Sequence, residues 1–289
     1  MNLRRDLLVD TAWLADHLND PAIRILECTV YLHPAPDIPA GYRVESGRGR
    51  WAEGHIPGAG FADLHEDLSD RSSSLRFMMP SAAQFAEAMG RYGVGPGVRV
   101  VLYDRSVNMW AARIWWMLRA FGFDAAAVLD GGWKKWTREG RSVSTDDGVR
   151  PAKTFVARPR PELIANKAGI LAALGEDRAC VLNALTEEQH RGARVTYRRP
   201  GHITGSVNVP AQALVDPETH AYLPPDVLRQ RFADAGVLEA RRVVTYCGAG
   251  IAASSDAFVL TMLGHDDVAV YDASLSEWAA DPNLPMATG

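Results

Sequence analysis

Cysteine is scarce in this sequence: Cys28, Cys180 and Cys247 are the only three among 289 residues. Their wide spacing and odd number exclude a disulfide framework and offer none of the paired spacing that zinc sites use. Thiols left in this state suit a reducing compartment, so a cytoplasmic setting is expected. A basic surplus is also lacking. Lys and Arg number 31 against 35 Asp and Glu, a net charge of -4 at pH 7, which argues against general affinity for nucleic acid or for anionic membranes. No apolar run nears the roughly 20 residues that cross a bilayer, so no membrane span is expected. The opening segment MNLRRDLLVDTAWLADHL is interrupted by Asp6, Asp10 and Asp16 and reads as the start of a folded protein rather than a signal peptide.

Core material, by contrast, is ample. Apolar residues make up 47% and charged residues 23%, the profile of a globular protein, and the length allows one large domain or, as the better expectation, two ordinary ones. The sequence also repeats itself. Gly54–Ala59 (GHIPGA) matches Gly201–Ser206 (GHITGS), RVVLYD ending at Asp104 matches RVVTYC ending at Cys247, and the segment ending LDGGWKKW at Trp136 matches the one ending YDASLSEW at Trp278. These three segments recur in one order, the last two at offsets of 143 and 142, which indicates two copies of one backbone layout.

Each copy alternates short apolar runs with helical patterns, as βαβ units on a parallel sheet do. In the second copy Ala179–Leu182, Arg242–Tyr246 and Val268–Tyr271 are expected strands, and Ile251–Leu263 is an expected helix closed by Gly264. In the first copy the counterparts are Val98–Tyr103, Ala127–Leu129 and a helix from Met109 to Phe121. The fold class is therefore α/β, with two tandem domains that are each a parallel sheet flanked by helices. The boundaries are drawn at 1–145 and 160–289. The polar, proline-bearing stretch 146–159 is taken as the linker.

Cys247 directly follows an apolar strand and precedes a helix, with Gly248 and Gly250 at the first and third positions after it. Backbone N–H groups of such a loop converge on the sulfur, and the helix N-terminus adds partial positive charge. Both favour a thiolate, and the same cradle would hold a persulfide anion. Cys28 and Cys180 lie in or beside expected strands and read as small buried hydrophobes. His55 and His202, and likewise Asp130 and Asp272, recur in both copies and read as structural. The tryptophans of the helices and turns read as core or domain-interface residues.

The duplicated GHIPGA and GHITGS, the strand-cysteine-helix element CGAGIAA, and the LDGGWKKW and YDASLSEW segments together resemble a tandem-domain rhodanese, the thiosulfate/3-mercaptopyruvate sulfurtransferase family. The resemblance spans nearly the whole chain and implies two rhodanese-like domains, the first lacking the catalytic cysteine and carrying Asp104 in its place. It implies Cys247 as the nucleophile that takes a sulfane sulfur from a small anionic donor and yields it to a thiol, cyanide or thioredoxin-like acceptor through a covalent persulfide. Neither metal nor organic cofactor is implied. The backbone of Gly248, Ala249, Gly250, Ile251, Ala252 and Ala253 would hold the anionic sulfur.

The chain departs from the family pattern where donors are chosen. Thiosulfate-preferring members resemble Cys-Arg-Lys-Gly in this loop and mercaptopyruvate-preferring members Cys-Gly-Ser/Thr-Gly. Here Gly248 fits the second type, but Ala249 supplies neither cation nor hydroxyl. The assisting histidine of the mercaptopyruvate enzymes falls near Phe77, although Asp63 is kept. The two family arginines that bind the donor's anionic group are replaced by Leu185 and Gln189. Arg191, Arg194, Arg198 and Arg199 lie just downstream, and Arg191 and Arg194 are taken as substitute anion ligands. The expected cleft has the Asp63–Met79 loop as one wall and the Arg191–Arg199 loop as the other. The alternatives are a non-catalytic sulfur carrier or scaffold, and a phosphatase- or arsenate-reductase-like enzyme. The last ranks low because the sixth residue after Cys247 is Ala253 rather than arginine.

Overall fold

The computed structural model describes residues 3–35, 41–148 and 150–289. Two five-stranded parallel sheets dominate it and share one strand order. In the first copy the strands run Leu8–Val9, Ala126–Leu129, Arg99–Tyr103, Ile23–Glu27 and Gly60–Phe61 across the sheet. In the second, Ile164–Ala165, Val268–Tyr271, Arg242–Tyr246, Ala179–Asn183 and Val207–Asn208 take the same places. The central strands are β-branched, apolar and buried on both faces, as parallel sheets covered by helices require. Their bounds match the sequence expectation to within a residue. The helix expected to end at Leu263 ends at Met262, and Gly264 then turns the chain at φ +89°.

Two helices, Met109–Ala120 and Ile251–Met262, pack against each other where the two copies meet. Both are apolar almost all round, which for a helix means burial on every side. Trp115 meets Phe258 edge-on across this contact, with ring centroids 4.9 Å apart, and one apolar cluster runs through both halves. Trp110, Trp116, Trp136 and Trp278 are fully buried.

The stretch expected as a linker is strapped onto the first half. Lys153 N–H donates to the Gly90 carbonyl and Arg158 N–H to that of Phe121, while Phe155 packs edge-on against Phe85. One buried phenylalanine and these backbone bonds fix its course. The first copy also carries an antiparallel pair, Val30–Pro34 with Tyr42–Ser46. Among the described residues no helix is long and apolar enough to cross a membrane.

Candidate active site

The strand Arg242–Tyr246 delivers Cys247 to a tight loop, and Gly250, at φ +73°, makes the left-handed turn into the helix Ile251–Met262. Cys247 is only 2% exposed. The YDASLSEW segment pins the loop from below. Ser274 Oγ accepts N–H bonds from Cys247 (3.0 Å) and Gly250 (3.2 Å) and donates to the Tyr271 carbonyl. Leu275 N–H bonds the Cys247 carbonyl, and Ser276 bonds that of Gly248 through both N–H and hydroxyl. The Gly250 N–H, expected in the sulfur cradle, is therefore committed to Ser274. The N–H groups of Gly248, Ala249, Ile251, Ala252 and Ala253 donate to no acceptor among the described residues.

The first copy shows what such a loop holds. Asp104 directly follows the equivalent strand, fully buried, and its carboxylate accepts N–H bonds from Ser106, Asn108, Trp110 and Ala111 at 2.8–3.1 Å. Burial still raises the Asp104 carboxyl above its ordinary pKa, against the pull of those four bonds. Asn108, at φ +63°, stands where Gly250 stands. Aligning these two caps places Trp110 and Ala111 on Ala252 and Ala253, so the second loop offers the same two helix-start donors to whatever anion sits at Cys247.

The first-domain wall reaches the site through a buried ion pair. Arg113 donates to the Phe77 carbonyl and to Asp272, and the second Asp272 oxygen accepts the Met79 N–H at 2.8 Å. Leu75 and Met78 pack on the second-copy cluster that contains Tyr246 and Trp278. Phe77 itself is buried in the left-handed region at φ +62° and faces Trp110. Asp63 shapes this loop: its oxygens accept from Ser46 Oγ, His65 N–H and Glu66 N–H.

The second wall differs from a ring of free arginines. Arg199 spends its guanidinium on the carbonyls of Trp278, Ala279, Asp281 and Leu284. Arg191 is 61% exposed and paired with Glu187, and Arg194 and Arg198 are exposed. Leu185 packs against both apolar clusters, and Gln189 completes the cap of the turn Glu187–His190. Asn183 bonds His190 Nδ1, and burial with the stacked His202 lowers His190 to about 4.

Three residues at the site escaped sequence reading: Tyr197, Tyr42 and Ser274. A Cβ on Gly248 would fall 1.7 Å from the Tyr197 hydroxyl, so that phenol lies directly on the loop. Burial, together with the neighbouring sulfur of Cys247, pushes the Tyr197 phenol far above its ordinary pKa. Burial likewise raises Tyr42, whose phenol also senses Cys247. Ser274 had one available signal. It stands where the first copy has Gly132, and both adopt φ near +50°, so a serine has been kept where a glycine would be relaxed.

Comparison with known proteins bears on this geometry. The family model of the rhodanese-like domain matches residues 10–139 and again 174–281. The chain belongs to the rhodanese family. It is 34% identical to human 3-mercaptopyruvate sulfurtransferase over 94% of this chain and 91% of that one. It is 31% identical to rat thiosulfate sulfurtransferase over 98% and 95%. The crystal structure of SseA from Escherichia coli, a 3-mercaptopyruvate sulfotransferase, superposes with a TM-score of 0.80 at 30% identity, covering 94% of this chain and 99% of that one. The two-domain α/β fold expected from the repeat is thus that of its relatives, and this rhodanese is a sulfurtransferase.

Proposed function

We propose that Cys247 accepts sulfur from 3-mercaptopyruvate or a similar small α-keto thiol, and passes it to a low-molecular-weight thiol, cyanide or a thioredoxin-like protein. The observation that carries this reading is the buried cysteine facing unpaired N–H groups in a loop without a cation. A thiosulfate donor would bring two negative charges to a loop of Gly248, Ala249 and Gly250, which offers dipoles but no charge.

The Cys247 thiolate attacks the donor sulfur. The carbon–sulfur bond breaks, its electron pair stays with carbon, and the thiol proton moves there, so pyruvate leaves and Cys247 keeps the sulfur as a persulfide anion. Unpaired N–H groups of Gly248, Ala249, Ile251, Ala252 and Ala253 hold that charge. The acceptor then takes the outer sulfur and the thiolate returns. Three unpaired thiols suit the reducing cytoplasm proposed for this protein.

Intact mass after incubation with 3-mercaptopyruvate or thiosulfate tests the reading. One added sulfur, removed by cyanide and absent in Cys247→Ser, is expected with 3-mercaptopyruvate. No adduct with either donor would favour a scaffold role.

A further inference from the structure

The family arginines are missing, yet an anionic donor needs a countercharge near Cys247. The candidates on the second domain are largely engaged or exposed: Arg199 is held by four carbonyls, Arg191 by Glu187. The first domain supplies a better placed cation. Arg76 lies between Leu75 and Phe77 in the loop that Arg113 and Asp272 dock against the second domain. Its guanidinium stacks 4.9 Å from the Tyr42 ring centroid, and Nη1 donates to the Tyr42 carbonyl at 2.7 Å. It is half-buried and has no carboxylate partner among the described residues.

We propose that Arg76 binds the carboxylate of the sulfur donor, so that the first domain holds the anion while the second domain holds the sulfur. The inference rests on the sulfurtransferase reading above and names how that site selects its substrate class. Stacking on Tyr42 fixes the guanidinium plane, and the bond to the Tyr42 carbonyl uses one edge. The remaining donors form a fork suited to a planar carboxylate. Leu75 and Met78 of the Arg76 loop pack on the same apolar cluster as Tyr197, which rests on Gly248 next to Cys247, and the Tyr42 phenol lies within electrostatic reach of both Arg76 and Cys247. The positive charge that relatives carry on the second domain has thereby moved to the facing wall.

Two readouts test this. In steady-state transfer from 3-mercaptopyruvate, Arg76→Met should raise KM by about 10- to 100-fold, the loss expected for a charge-assisted pair of hydrogen bonds, and Arg76→Lys should recover part of it. Independently of sulfur transfer, the rate of Cys247 alkylation by iodoacetate relative to neutral iodoacetamide, followed by peptide mass, should fall about tenfold in Arg76→Met. The iodoacetamide rate itself should stay unchanged, which shows an intact site. An unchanged ratio, or a ratio that falls in Arg194→Met or Arg198→Met but not in Arg76→Met, overturns the proposal. Failure of both donors to add sulfur to the wild-type protein counts against the function, and the alkylation ratio still decides Arg76.

Discussion

The hydroxyl oxygen of Ser274 stands 3.0 Å from the amide nitrogen of Cys247 and accepts its N–H. The same oxygen takes the Gly250 N–H, so one side chain ties both ends of the four-residue loop to the next strand. Ser274 does so at φ +51°, a conformation that costs a non-glycine residue about 1–2 kcal/mol.

Two substitutions separate the hydroxyl from the backbone. Ser274→Gly removes the acceptor and relaxes the backbone, whereas Ser274→Ala removes the acceptor and keeps the strain. Both should slow single-turnover persulfide formation roughly 10- to 100-fold, the effect of orphaning buried donors worth about 1–3 kcal/mol. In urea unfolding, Ser274→Ala should be less stable than Ser274→Gly by about 1 kcal/mol. Wild-type transfer in Ser274→Gly would mean the loop keeps its shape without this oxygen.

Gly248 and Tyr197 form the second tight relationship. A methyl group at Gly248 would meet the Tyr197 hydroxyl at 1.7 Å and Cζ at 2.6 Å. In the first copy the residue after Asp104 is Arg105, which pairs with buried Glu27 and lies 4.2 Å from the Trp133 ring centroid. The second copy has traded that arginine for a glycine, and a tyrosine fills the room.

Gly248→Ala should therefore displace Tyr197, cost about 1–3 kcal/mol through overpacking, and reduce kcat/KM by at least about tenfold. Adding Tyr197→Phe should not help, because the ring carbon still clashes. Adding Tyr197→Ala should restore the unfolding midpoint. A Gly248→Ala protein with unchanged stability and activity would show that Tyr197 does not rest on this loop.

How much of this was legible in the sequence depends on the range of each contact. The repeat was legible because duplication leaves the same strand and turn chemistry twice, and Cys247 because its position after Tyr246 and before a helix is local. The anion wall was not. A run of Arg191, Arg194, Arg198 and Arg199 announces charge but not where each guanidinium goes, and Arg199 is consumed by carbonyls some 80 residues away. Arg113 and Asp272, 159 residues apart, meet only because the two interface helices pack. The course of the stretch expected as a linker was hidden for a related reason: its polar composition masked Phe155, whose partners Phe85 and Phe123 lie in the first half.

The same interface carries a cost that pH can expose. Asp256 lies on the helix Ile251–Met262, fully buried, and neither of its carboxylate oxygens has a hydrogen-bond partner among the described residues. Burial pushes its pKa well above the ordinary 3.8. Because the folded-state pKa is the higher one, folding favours the protonated form. That contribution is whole below the unfolded pKa and is lost as pH rises through the folded one. Asp256→Leu keeps the branching of the side chain and removes both acceptors. Near pH 4 its stability should lie close to that of the wild type, and by about pH 8 it should exceed it by roughly 1–3 kcal/mol, the usual cost of a buried unsatisfied polar group. Urea unfolding of both proteins at several pH values reads this directly. A gap that stays constant or closes as pH rises would mean that Asp256 is ionised and paired in the folded protein, and that the helix contact is not the apolar interface described above.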